Sequence, residues 1–174
     1  MVRTLPSAQL GERARRIRLL VSDVDGVLTP AQVYYSERGE ELKRFSLRDG
    51  MGTELLRSAG IETAYFTREN CPIALRRSQK LKLSHVWRGV EDKARALPEL
   101  LLRAHYRLDE VAYIGDDVND FGAMALVSEV GLTGAPNDAV ASVLDMAHKV
   151  TTAKGGGGCF REFADWILAV RQEA

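Results

Sequence analysis

The chain has 174 residues, 24 Lys and Arg balanced by 24 Asp and Glu, and 45% hydrophobic residues, which suits one buried core and is too apolar for a disordered segment. The zero formal charge argues against a sequence-independent nucleic-acid binder, and no apolar run approaches the ~20 residues of a membrane span. Cys71 and Cys159 supply neither a disulfide framework nor a four-thiolate metal site, and no apolar leader opens the sequence, so the expectation is one cytoplasmic domain over 1–174 with no membrane or nucleic-acid partner.

Residues 1–16 read as a polar, basic lead-in with a short helix over 8–16. Residues 17–21 form a short apolar run that stops at Ser-Asp-Val-Asp-Gly, the pattern of a buried strand. Residues 30–46 then read as a β-hairpin flap, with strands at 32–35 and 40–45 and a turn at 36–39. A helix over 52–58 ends at Gly60, and 63–66 is a second strand. Residues 72–81 are helical, with Pro72 in the first turn, where its missing N–H does no harm. A strand at 85–87 precedes a helix over 93–104, which Pro98 should kink or delay. Residues 111–114 are the fourth strand, and helices over 121–127, 139–147 and 161–170 follow. Gly155 to Gly158 read as a flexible spacer, making 154–174 a Gly-rich tail with a final helix.

Strands alternating with helices predict an α/β fold: a doubly wound, Rossmann-like parallel sheet with helices on both faces. Between residues 25 and 67 there is room for the hairpin and one helix only, so no cap domain is expected. Ligands of such sheets gather at the carboxyl ends of the strands, and the polar clusters of this chain lie there. Asp23 and Asp25 follow the first strand, Thr67 the second, and Gly115-Asp116-Asp117-Val118-Asn119-Asp120 the fourth; Lys93 opens a helix. Neighbouring carboxylates oppose each other's ionisation, a cost that a bound cation removes. Hard oxygen donors with no His or Cys cluster point to Mg²⁺. Taken singly, an Asp-x-Asp is a turn, a Thr after a strand is a cap and a helical Lys is a solvated charge. All four in order, at strand ends and a helix start, describe a phosphoryl-transfer site.

These motifs resemble those of the haloacid dehalogenase superfamily of aspartyl-phosphate hydrolases, over nearly the whole chain. Asp23-Val-Asp-Gly-Val-Leu-Thr is similar to its first motif, Thr67 to its second, Lys93 to its third, and Gly-Asp116-Asp117-x-x-Asp120 to its fourth. The resemblance implies that Asp23 attacks phosphorus and that Asp25 protonates the leaving oxygen and then activates water. It implies Thr67, Lys93 and Arg68 as phosphate-binding residues. It implies Mg²⁺ on Asp23, the Asp25 backbone carbonyl and Asp116, with Asp117 and Asp120 supporting that site.

Within the superfamily, Gly39-Glu-Glu-Leu-Lys43-Arg-Phe-Ser-Leu-Arg48-Asp-Gly-Met-Gly52 and Gly155-Gly-Gly-Gly-Cys-Phe-Arg161-Glu-Phe resemble the phosphatases of 2-keto-3-deoxy sugar acids, above all the 3-deoxy-D-manno-octulosonate (KDO) 8-phosphate branch of surface-glycan and lipopolysaccharide synthesis. That resemblance implies a homotetramer whose sites are closed by neighbouring subunits. A keto-acid carboxylate suits a guanidinium, so Arg161 and Arg48 are candidate substrate ligands, with Lys43 assisting from the hairpin. Thr67-Arg68-Glu69-Asn70 departs from the usual Thr-Gly-Arg and is similar to the branch acting on N-acylneuraminate and other nonulosonate 9-phosphates. A phosphatase for a different small ester, or a non-catalytic module that assembles a sialic-acid cytidylyltransferase, remains an alternative.

Overall fold

The computed structural model describes residues 3–173. Helix α1 (Ser7–Arg16) leads into β1 (Leu19–Ser22), which is followed by the hairpin β2 (Tyr34–Ser36) and β3 (Gly39–Leu42). Then come α2 (Leu47–Ser58), β4 (Glu62–Phe66), α3 (Pro72–Leu81), β5 (His85–Trp87) and α4 (Lys93–Arg103). After β6 (Val111–Ile114), the chain forms α5 (Val118–Val130), β7 (Leu132–Ala135), α6 (Ala141–Leu144), β8 (Lys149–Val150) and α7 (Cys159–Glu173). The main sheet has the order β5-β4-β1-β6-β7-β8, and every pairing in it is parallel. Among the described residues, the segments between its strands hold the hairpin and single α-helices.

Alternation along the strands feeds two cores. Leu20, Tyr65, Ala112, Ile114 and Leu132 pack against α1, α2, α3 and α7 through Ala14, Leu56, Ala74, Phe160, Phe163 and Ile167. Leu19, Val21, Ala64, Phe66, Val111 and Tyr113 pack against α4, α5 and α6 through Leu97, Leu101, Met124, Val127 and Val143. A strand with opposite faces in two helical layers is buried throughout, which is why these strands read as continuous apolar runs. No helix of the described residues is long and apolar enough to cross a membrane.

Several elements differ from the sequence reading. The sheet has six strands: β7 and β8 lie beyond the four expected. Gly134 in β7 lacks a side chain because a Cβ there would lie 2.7 Å from the Phe163 ring. Helix α2 starts at Leu47, where Ser46 caps the Arg48 amide at 3.1 Å, and it runs through Gly50 and Gly52. A Cβ at Gly52 would lie 3.2 Å from the Arg161 Cα, so this glycine serves a close helix–helix approach. Helix α4 continues past Pro98, α5 begins at Val118, α6 is a single turn, and α7 begins at Cys159. The hairpin strands are shorter than expected, with a two-residue turn ending at Gly39, whose φ is +104°. Gly155 to Gly158 are not a free spacer: Gly155, Gly156 and Gly158 are buried, and the segment is docked on the loop that follows β1.

Candidate active site

The chain leaves β1, the strand between β4 and β6, and its next residue, Asp23, still bonds to Ile114 O at 3.0 Å. Thr67 follows β4 and Asp116 follows β6, so all three reach the same edge of the sheet, where the strand order switches. Gly26 adopts φ +105°, and a Cβ there would overlap the Asp116 carboxylate at 1.9 Å. Only glycine lets the loop after β1 close on Asp116.

Lys93 is the cation of the site. Its Nζ donates to Asp23 Oδ1 and to Asp120 Oδ1, each at 2.7 Å, and its side chain is fully buried over the Phe66 ring. Asp120 is saturated: Oδ1 also accepts from Tyr113 OH at 2.7 Å, and Oδ2 accepts from the Asp116 amide at 3.1 Å. Burial raises the pKa of Asp23, the Asp120 charge adds to that rise, and Lys93 opposes it. Burial and the charges of Asp23 and Asp120 raise Asp116 as well. Carboxylate oxygens of Asp23, Asp116 and Asp120 lie within 4.8 Å of one another. Asp116 Oδ1 is buried with no hydrogen-bond partner. Three clustered carboxylates with one ammonium bonded to two of them, and an orphaned acceptor among hard oxygens, fit a divalent cation. Asp120 spends its oxygens on Lys93, Tyr113 and Asp116, which leaves Asp23 and Asp116 as the side chains able to hold the ion.

Asp25 faces the hairpin. Its Oδ1 accepts from Lys43 Nζ at 2.7 Å, and its Oδ2 is buried without a partner. Lys43 also meets Glu40 Oε1 at 3.3 Å, and that oxygen accepts from Cys71 Sγ at 2.9 Å. Burial works against the Lys43 charge, but Asp25 and Glu40 outweigh it and raise its pKa.

A cavity of about 210 Å³ opens onto these groups, lined by Asp23, Asp25, Thr67, Arg68, Glu69, Asp117 and Asn119. Thr67 is buried and accepts from the Glu69 amide at 3.0 Å through Oγ1; Arg68 is exposed at the mouth. Asp117 is exposed, lines the same cavity and caps α5 through the Val118 amide at 2.7 Å. A second cavity of about 200 Å³, sharing Asp25 and Glu69, is lined by Val33, Tyr35, Glu40 and Lys43.

Two expected substrate residues lie elsewhere in the chain's own fold. Arg48 sits in a groove with Arg44, Leu47, Gly156 and Gly157. Arg161 pairs with Asp165, one turn along α7, at 2.8 Å. Neither lines the acidic cavity. The sequence reading missed Glu69, Asn119, Glu40 and Tyr113. Glu69 and Asn119 carry a local signal, Glu69 in the same strand-end loop as Thr67 and Asn119 in the first turn of α5, two residues past Asp117; Tyr113 and Glu40 carry none.

No family model matches the chain. The 3-deoxy-D-manno-octulosonate 8-phosphate phosphatase KdsC of Yersinia pestis is 41% identical over 162 residues, covering 93% of this chain and 85% of that protein. The 3-deoxy-D-manno-octulosonate 8-phosphate phosphatase of Moraxella catarrhalis, solved with magnesium, phosphate and KDO, is similar at a TM-score of 0.87 and 32% identity, covering 95% of this chain and 93% of that one. The cobalt-bound deoxy-D-mannose-octulosonate 8-phosphate phosphatase of Haemophilus influenzae gives a TM-score of 0.86 at 35% identity, covering 92% of each chain.

Proposed function

Since the chain belongs to the KDO 8-phosphate phosphatase family of the haloacid dehalogenase superfamily, we propose that it hydrolyses KDO 8-phosphate to KDO and inorganic phosphate. In this reading a carboxylate oxygen of Asp23 attacks phosphorus. The Asp23–phosphorus bond forms as the bond to the sugar oxygen breaks, and Asp25 gives that oxygen its proton. Asp25 then takes a proton from water, which attacks phosphorus and restores Asp23. Lys93 and Thr67 hold phosphoryl oxygens, and Arg68 meets them at the mouth. Mg²⁺ held by Asp23, the Asp25 carbonyl and Asp116 would supply positive charge against the carboxylates and the phosphoryl group. The support comes from one observation above all: Asp23, bonded to the buried Lys93, shares a cavity with Asp25, which keeps an unpartnered Oδ2.

The finer parts of the reading concern assembly. We read the chain as a cytoplasmic homotetramer whose flaps close neighbouring cavities, and the exposed Tyr34, Tyr35 and Leu42 of the hairpin support its association with another subunit. Arg48 and Arg161 would then reach the substrate carboxylate across an interface. A native mass of one chain overturns that part.

The test is phosphate release with Mg²⁺ from KDO 8-phosphate, from N-acetylneuraminate 9-phosphate and from a generic aryl phosphate at equal concentration. A preference of several hundredfold in kcat/KM for the eight-carbon ester, ~3–4 kcal/mol, is expected. The nine-carbon ester is the second reading, on the resemblance of Thr67-Arg68-Glu69-Asn70, of which Thr67, Arg68 and Glu69 line the cavity. Cleavage of the aryl ester alone would discard both sugar acids and keep the chemistry, whereas an inert chain would return the assembly-module alternative.

A further inference from the structure

We infer that residues 152–162 form a closed strap whose glycine backbone fixes the turn carrying Asp25, and that Glu162 is a positioning residue for catalysis. The inference rests on the reading of Asp23 and Asp25 as the catalytic pair.

The strap is closed at its base by one side chain. The Glu162 carboxylate accepts from the Thr152 amide at 2.9 Å, the Ala153 amide at 3.1 Å and the Thr152 hydroxyl at 2.8 Å. Lys149 pairs with the same carboxylate at 3.5 Å. Two further carboxylates pin the strap to the body: Asp138 accepts from the Gly155 amide at 3.0 Å, and Asp49 of α2 accepts from the Arg161 amide at 2.9 Å. Carboxylate acceptors for backbone N–H groups are stronger than neutral ones.

Its middle presses on the catalytic turn. Val27 O accepts from the Gly156 amide at 2.8 Å and from Cys159 Sγ at 3.1 Å. A Cβ at Gly155 would lie 2.0 Å from Gly26 O, and one at Gly156 would lie 2.6 Å from Pro30 N. Gly156 also needs φ +64°. These are backbone atoms, which cannot swing aside as a side chain would. On the other side of that turn, the Leu28 and Thr29 amides both bond to Val24 O at 3.0 Å. The turn between Asp25 and Pro30 is therefore held from within by Val24 and from outside by glycines. Gly157 differs: it is exposed, and the atom nearest a Cβ there is Lys154 O of the strap itself, at 3.0 Å against the 2.0 Å of the Gly155 overlap with the catalytic turn.

Active-site groups displaced by about 1 Å lose up to about 10²-fold in rate. The experiment compares Gly155→Ala and Glu162→Ala with Gly157→Ala and Glu162→Gln. It measures kcat and KM on KDO 8-phosphate and an aryl phosphate, thermal melting, and hydrogen exchange at Leu28 and Thr29. The first two variants should lose at least about tenfold in kcat on both esters, with KM within about twofold and faster exchange at both amides. Gly157→Ala should stay within about twofold of wild type, and Glu162→Gln, which keeps an acceptor oxygen, should recover most of the rate. Equal behaviour of Gly155→Ala and Gly157→Ala, a loss confined to KM, or a loss that follows the unfolded fraction overturns the strap alone. A wild-type chain inert on every phosphate ester overturns the catalytic reading and the strap with it.

Discussion

Lys43 Nζ lies 2.7 Å from Asp25 Oδ1, and its side chain is only 1% exposed, so a hairpin that is otherwise open to solvent is tied to the site by a buried ammonium. The same ammonium meets Glu40. Replacing Lys43 with Met keeps the length of the side chain and leaves Asp25 and Glu40 facing each other without a cation. Breaking a buried pair costs about 3–5 kcal/mol, and the partial exposure of Asp25 brings the expectation down to about 1–3 kcal/mol. Lys43→Met should therefore lose about 1–3 kcal/mol in urea unfolding, lower kcat/KM as Asp25 loses its anchor, and speed proteolytic cutting in the hairpin. Wild-type kinetics from this variant would mean that the pair has no part in turnover.

The Lys93 ammonium lies between Asp23 and Asp120, all three side chains being at least 96% buried. Lys93→Met removes that cation and leaves carboxylates that repel each other. Loss of about 3–5 kcal/mol in urea unfolding is expected, together with loss of turnover. Adding Asp120→Asn should return part of the stability, because the repulsion goes with the charge, but none of the turnover. Additive effects in that double-mutant comparison would disprove the coupling.

Asp116 Oδ1 is, like Asp25 Oδ2, an orphaned acceptor of the site, and burial together with Asp23 and Asp120 makes ionised Asp116 costly. A divalent ion at one hundred times its Kd stabilises a folded chain by about 2.7 kcal/mol. For a protein of this size that corresponds to a rise of about 5–10 °C in Tm. Mg²⁺ should produce such a rise in wild type and little in Asp116→Asn, and chelation should abolish turnover. Turnover that persists after thorough chelation would sink the metal assignment.

The parts of the site that were legible in the sequence are those whose chemistry is local. Asp23, Asp25, Thr67, Lys93 and Asp116 each sit at a strand end or helix start, and alternation places those ends on one edge. What was illegible depends on contacts distant in sequence. Tyr113 reads as a core strand residue until Asp120 folds back over it. Lys43 reads as a hairpin cation that assists substrate binding until it meets Asp25, eighteen positions earlier. Glycines misled most. The helix that runs through Gly50 reads as starting only at Gly52, the strand that holds Gly134 is not read at all, and Gly155 to Gly158 read as a spacer. At Gly52, Gly134, Gly155 and Gly156 the missing Cβ makes room for another backbone or ring, and no one-dimensional pattern distinguishes that use from flexibility. Arg161 shows the reverse: its motif is legible, yet within its own chain it pairs with Asp165.

His148 gives the sheet edge its own pH dependence. Its Nδ1 accepts from the Thr133 amide at 3.0 Å, which places the ring proton on Nε2, and Nε2 is buried without a partner. Burial lowers its pKa to about 4, and the charges of Arg13 and Arg3 act in the same direction. An unfolded histidine titrates near 6.5. Above that value both states are neutral and His148 contributes no pH dependence. Below it the unfolded chain takes the proton first, so stability falls as the pH drops from about 6.5 towards 4 and levels off below. Discounted for partial solvent access, the loss between pH 7 and pH 5 should be about 1–2 kcal/mol. His148→Asn keeps an acceptor at the position of Nδ1 for the Thr133 amide and cannot take up the proton. Urea unfolding at both pH values should show the variant losing that much less stability than wild type, since the carboxylates titrate alike in the two proteins. Parallel losses would place the proton uptake elsewhere.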